Sequence, residues 1–195
     1  GSNNQTVTGT VGGVGASLSE VNAGVTGTTS TFNSNVYASN LNMTGTGTVI
    51  LDSDLTGNIS TGDNQGILTT TGLNKTITGN IGSSTSLDLN TLNIGSDTDA
   101  TNYSTTTING NVFANSTVLN NNGTTNSSEL ILASGKNITS TITTADANMG
   151  ILTLAGGTQT VTGTVGGVGA SLEKVSSGAT GATSTFVNNV YANTV

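Results

Sequence analysis

Asp52-x-Asp54 and Asp97-x-Asp99 are the closest-spaced carboxylate pairs in this sequence. On a strand such a pair shares one face, and in a turn it offers oxygen ligands to a hard cation such as Ca²⁺. Paired carboxylates also carry the acid–base chemistry of glycoside cleavage, which some β-helical enzymes perform. The rest of the chain argues against catalysis. It holds 3 basic residues against 10 acidic ones, with no His and no Cys. That excludes a metal site of the usual nitrogen and sulfur kind, a Ser-His-Asp triad and a thiolate nucleophile. The cations are Lys75, Lys136 and Lys174, so no Arg stands ready to hold an acidic sugar. The pairs therefore read as solvated turn acids, with weak Ca²⁺ ligation as the alternative. No catalytic residue, resident metal or cofactor is expected.

Other patterns resolve in the same direction. GTVGGVG occurs at 9–15 and again at 163–169. A phosphate cradle would need a following helix and, in the P-loop version, a Lys. Neither is present, so the stretch reads as a loop whose glycines take positive φ. Phe32 and Phe186 occupy equivalent positions, as do Tyr37, Phe113 and Tyr191. Aromatics recurring once per repeat are expected in the core, with the Tyr hydroxyls reaching its rim. Thr-x-Thr pairs at 6–8, 76–78 and 160–162 suggest the flat hydroxyl lattice of an ice-binding solenoid. That register is broken by Thr56-Gly-Asn58 and Thr139-Ser-Thr141, and outward Thr chosen for strand propensity explains the pairs.

The elements that must carry these groups follow from composition. Thr, Gly, Asn and Ser make up 116 of the 195 residues, Pro is absent, and only 7% are charged. Disordered chains combine low hydrophobicity with high charge, whereas here 32% of residues are apolar. Val, Ile and Thr favour strands; Gly and Asn favour turns. Three Phe and three Tyr are too few for an ordinary sandwich of this length. The thin apolar supply suits an elongated fold whose units bury a narrow core against their neighbours. A net charge of −7 without a basic patch leaves no footprint for nucleic acid, and no run of 18 apolar residues offers a membrane-spanning helix.

Internal repetition is the strongest signal. Residues 5–38 match residues 159–192 without gaps at an offset of 154, and a diverged copy lies between, with KTITGNIG at 75–82 and NGNVFA at 109–114. The repeat is thus about 77 residues, and the chain holds roughly two and a half copies. A shorter period sits inside it. LTGNI at 55–59 returns as ITGNI at 77–81, and LILASG at 130–135 as LTLAGG at 152–157, each 22 residues on. ITSTI at 138–142 returns as VTGTV at 161–165 after 23. Each segment alternates apolar and polar residues, the mark of a half-buried strand.

These features predict an all-β fold: a right-handed parallel β-helix with coils of 22–23 residues. Leu55 should stack on Ile77 and Ile59 on Ile81, with eight or nine coils making a rod about 40 Å long. Because 77 is three and a half times 22, the excess is expected in VGGVGASL and in the 119–128 segment, as longer coils or protruding loops. Ala16 to Asn22 allows one helical turn. Gly1-Ser2 reads as a cloning scar, leaving 3–195 as a single repeat fragment cut from a longer array.

The phrases GILTLAGGTQTVTGTVGG (150–167), TSTFVNNVYA (183–192) and DNQGILT (63–69) resemble the passenger regions of rickettsial surface cell antigens, autotransporters of the outer membrane protein A and B type. The resemblance runs across almost the whole chain and lies in style, T-G-N-I, G-x-L-T-L and N-V-Y-A, with no catalytic motif. It implies export through a C-terminal membrane barrel, a β-helical passenger on the outer face of the outer membrane, and adhesion to host cells. A host surface protein or glycan would then be the partner. The expected contact residues are Gly12, Gly13, Val14 and Gly15; Gly166, Gly167, Val168 and Gly169; and Asn120, Asn121 and Asn122. The rival readings are a stalk or surface-layer spacer and, further off, a carbohydrate-active β-helical enzyme. Coil edges left open at either end could also stack end to end.

Overall fold

The computed structural model describes residues 3–96, 103–121 and 126–195. Gly1, Ser2, the Asp97–Asp99 pair and Asn122 lie outside the described residues. Among the described residues, eighteen strands form two nine-stranded, all-parallel sheets. One contains β1 (Gln5–Val7), β3 (Thr29–Phe32), β5 (Thr48–Leu51), β7 (Gln65–Thr70) and β9 (Leu89–Ile94). It continues through β11 (Val112–Leu119), β13 (Ile138–Thr144), β15 (Thr158–Thr162) and β17 (Thr183–Phe186). The other contains β2 (Leu18–Ala23), β4 (Val36–Met43), β6 (Leu55–Ser60), β8 (Lys75–Ile77) and β10 (Thr105–Ile108). Its remaining strands are β12 (Glu129–Leu132), β14 (Ile151–Leu154), β16 (Leu172–Ser176) and β18 (Ala192–Thr194). This is a parallel β-solenoid with coils of roughly 24 residues, slightly longer than the sequence period. The coils are unequal: side-chain bonds between neighbouring coils join residues 18 apart at Asn42 and Ser60 but 31 apart at Asn80 and Asn111. The segment expected to allow a helical turn is strand β2 instead, because Val21 pairs with Leu41 and is drawn into the ladder.

Three columns of inward residues mark the corners of the core, each rung stacked on the next coil, with further buried columns such as Val49, Leu68 and Leu92 between them. The first runs Val7, Phe32, Leu51, Thr70, Ile94, Leu119 and Thr144. The second runs Val11, Val36, Leu55, Ile77, Ile108, Leu132 and Leu154. The third runs Val21, Leu41, Ile59, Ile81, Val112, Ile138, Val161 and Phe186. The stacking of Leu55 on Ile77 and of Ile59 on Ile81 is as the sequence requires. Ladders of branched aliphatics suit this geometry, since a β-branched side chain packs well on a pleated surface and strands sit about 4.8 Å apart.

The columns explain why 77 residues do not make a whole number of coils. From Val7 the inward residues run Val11, Val21; Phe32, Val36, Leu41; Leu51, Leu55, Ile59; then Thr70 and Ile77. Ile77 is the repeat equivalent of Val7, yet it stands in the second column, and Val161, the next equivalent, stands in the third. Each repeat thus contains one side more than three full coils, and successive copies present the same residues on successive sides. The matching bulges agree. β4 carries an extra residue between Tyr37 and Asn40, and β11 carries one between Phe113 and Ser116. At the first bulge the chain passes from the second column to the third, and at the other from the third to the first.

Corners are closed by side chains that replace missing ladder bonds. The carboxamide oxygen of Asn58 accepts the Asn80 N–H at 2.8 Å, Asn80 accepts from Asn111 at 2.8 Å, and Asn111 accepts from Asn137 at 2.9 Å. Asn137 then accepts the Thr160 N–H at 2.7 Å. This is the physical content of the T-G-N motif. Asn111→Ala strands the Asn137 N–H at a partly exposed corner, so it is expected to cost about 1 kcal/mol in urea unfolding. Asn111→Asp, which keeps the acceptor, should retain most of that.

Candidate functional site

The two Gly-rich stretches are protruding hairpins. Gly13 N–H donates to the Ala16 carbonyl at 3.2 Å and Ala16 N–H returns to Gly13 at 3.0 Å, leaving Val14 and Gly15 at the tip. Gly15 sits at φ +76, a conformation that glycine alone adopts at little cost. The third copy repeats the turn between Gly167 and Ala170, with Gly169 at φ +77. Val14 is 86% exposed and Val168 88%, far more than an apolar side chain kept for packing. The middle copy builds its turn between Ser84 and Leu87 and puts Thr85 and Ser86 at the tip. Because of the one-side shift per repeat, the three hairpins leave three different corners.

Each hairpin begins on a glycine pinned by the next coil. A Cβ on Gly12 would meet the backbone carbonyl of Tyr37, one on Gly82 that of Phe113, and one on Gly166 that of Tyr191. Tyr37, Phe113 and Tyr191 in turn donate their N–H groups to Val11, Ile81 and Val165, each at 2.8 Å. These three aromatics are not in the core, contrary to the expectation. Val36 and Ala38, and likewise Val112 and Ala114, are buried, so alternation turns Tyr37 and Phe113 outward, half-buried. Asn189 donates to the Tyr191 hydroxyl at 3.2 Å on the same surface. Among the described residues Phe32 alone is a buried core aromatic, 4% exposed, and Phe186 packs half-buried at the last rung.

Asn120 and Asn121 are also placed differently from a displayed loop. Both are buried, at 6% and 3% exposure. Asn120 donates to the Gly95 carbonyl at 3.2 Å. Asn121 donates to the Leu119 carbonyl at 3.1 Å and the Thr144 hydroxyl at 3.0 Å, and accepts the Ser128 N–H at 2.7 Å. They belong to a polar seam where the first column turns from aliphatic to Thr70 and Thr144. Thr70 meets Thr106 at 2.7 Å, and Thr106 meets Ser104 at 2.9 Å. A run of Asn reads as loop in sequence, and only closure of the coil shows that this pair satisfies interior backbone.

Asp52 and Asp54 both line a polar groove of about 420 Å³, but each is engaged by a different partner. Asp52 pairs with Lys75 at 3.5 Å with its side chain half in solvent. Asp54 accepts the Thr76 N–H at 2.8 Å, doing at its corner what Asn does elsewhere. Among the described residues no three His, Cys, Asp or Glu side chains gather closely enough to hold a metal ion. Gln159, which the sequence did not single out, is fully buried: its amide donates to Ala133 at 3.0 Å and Lys136 at 3.2 Å and accepts from Gly156 at 2.8 Å.

A groove of about 290 Å³ follows the corner between the third and first columns. Phe113 and Asn115 at the β11 bulge, Thr139 and Thr141 on β13, and Thr162 line it, and Asp88 of the middle hairpin stands at one end. No helix among the described residues is long and apolar enough to cross a membrane. Comparison with protein-family models, curated proteins and solved structures found no match to this chain.

Proposed function

We propose that this chain is a non-catalytic segment of a surface-displayed bacterial passenger that adheres to host cells through its outward corners. The observation that carries the reading is the pair of apolar hairpin tips, Val14 and Val168, held almost wholly in solvent by turns whose positive φ glycine adopts at little cost. A rigid turn that already holds an apolar tip in solvent can dock it at little ordering cost. The resemblance of its motifs to rickettsial surface antigens supports the location, and the parallel solenoid is compatible with passengers of that kind. The dispersal of the carboxylates into corner bonds and an ion pair supports a role without chemistry.

The test is saturable binding of labelled, monomeric protein to cultured host cells, with unlabelled protein as competitor. Monomer must be confirmed first, because the mostly exposed strands of the first coil leave ladder groups that a second copy can pair. Val14→Ser together with Val168→Ser should weaken binding about tenfold. The same pair should leave the urea midpoint unchanged, since neither tip packs on anything. Competed binding that survives the double change would move the contact elsewhere on the solenoid. One observation favours a spacer instead: residues 5–38 and 159–192 agree at 26 of 34 positions, and repetition specifies length more directly than a unique site. A folded monomer with no competed binding would establish that reading.

A further inference from the structure

We propose that the corner groove binds a neutral oligosaccharide, with Phe113 as the platform for one sugar ring. The inference rests on the adhesive reading above and names its ligand class. A comparison between repeat-equivalent corners carries it. Where the first copy turns, Asn58 and Asn80 spend their amide oxygens on the backbone of the following coil. At the equivalent corner of the middle copy Thr141 stands in place of Asn58 and Thr164 in place of Asn80, and that ladder is missing. Asn115, Thr139, Thr141 and Thr162 line the groove and make no side-chain hydrogen bond to any of the described residues. The bulge in β11 supplies Asn115 as its extra, fully outward residue, the kind of re-aimed side chain that bulges produce near functional sites.

The chemistry selects the ligand. Hydroxyls and a carboxamide in a row, each able to donate and accept, match the hydroxyls of a sugar. The electron-rich face of Phe113 attracts the polarised C–H groups on the flat side of a pyranose. Asp88 is the groove's one charged side chain and already accepts the Asn64 N–H at 2.9 Å. With no cation among the lining residues, sulfated and sialylated chains have no counter-charge and meet an acid instead. The groove crosses from the middle hairpin to Asn188 of the last coil, about 19 Å at one strand spacing per coil, which accommodates a short linear chain.

The test uses the folded protein on immobilised manno-, cello-, xylo- and N-acetyllactosamine oligosaccharides, with a heparin-derived hexasaccharide as the charged probe, followed by calorimetry on the best ligand. At least one neutral series should bind and the sulfated probe should not. Phe113→Ala should weaken binding tenfold or more, while Phe113→Tyr should retain it. Thr141→Asn rebuilds the amide ladder across the groove, so it should also weaken binding tenfold while the melting temperature holds or rises. No binding to any neutral series, a preference for the sulfated probe, or binding that ignores both Phe113→Ala and Thr141→Asn would each overturn the proposal. Cell binding separates it from the adhesive reading. Attachment that is lost in the valine double variant, with no neutral sugar bound, leaves adhesion standing and the groove refuted. Sugar binding without cell attachment does the reverse.

Discussion

Gly79→Ala should cost the solenoid about 3–5 kcal/mol, whereas Gly9→Ala, the same position of the first copy, should be silent within about 0.5 kcal/mol. Both glycines lie in T-G-T or T-G-N corners that look alike in sequence. A Cβ on Gly79 would fall on the carbonyl of Gly57 one coil below, and a Cβ on Gly110 would fall on that of Gly79. Backbone is met by backbone, so no side chain can swing aside. The coils cannot separate either, because Asn80 N–H is tied to Asn58 at 2.8 Å and Ile59 N–H to the Asn80 carbonyl at 2.8 Å. Gly9 has nothing within 4 Å of where its Cβ would stand. Urea unfolding followed by far-UV circular dichroism reads the difference. Equal, small costs at both positions would mean that the Gly57–Gly79–Gly110 column is not stacked as described.

Asn121→Ala is expected to destabilise the protein by about 3 kcal/mol, and to leave attachment per folded molecule unchanged. Its amide joins three partners across two coils: the Ser128 N–H at 2.7 Å, the Leu119 carbonyl at 3.1 Å and the Thr144 hydroxyl at 3.0 Å. Truncation strands the buried Ser128 N–H and removes two further bonds, although the Leu119 carbonyl keeps the Ala145 N–H and the Thr144 hydroxyl keeps the Asp146 carbonyl at 2.8 Å. In a solenoid each coil contacts only its neighbours, so the loss should appear as broadened unfolding that begins around β11 and β13. Hydrogen exchange on those strands would localise it. A variant with the parent's midpoint but no attachment would return Asn121 to the surface.

Much of the architecture is already determined by the sequence, for a reason that is one-dimensional. Apolar residues alternating every second position and returning after 22 or 23 fix which side chains stack, and the pairings Leu55 with Ile77, Leu130 with Leu152 and Ile138 with Val161 need no distant information. The protruding Gly-rich turns follow equally from glycine where φ must be positive. Tertiary structure decided what depends on a running count. A T-G-N corner and a bulged strand differ little in sequence, so the number of sides in a repeat, and hence the side each copy faces, emerges only when the coils close. Tyr37 and Phe113 point outward because one residue of register separates them from Val36 and Val112. Asn shows the same dependence. Its identity at 80, 115 and 121 is constant, yet it ties one coil to the next, faces solvent beside a groove, or fills the interior, according to what stands one coil away.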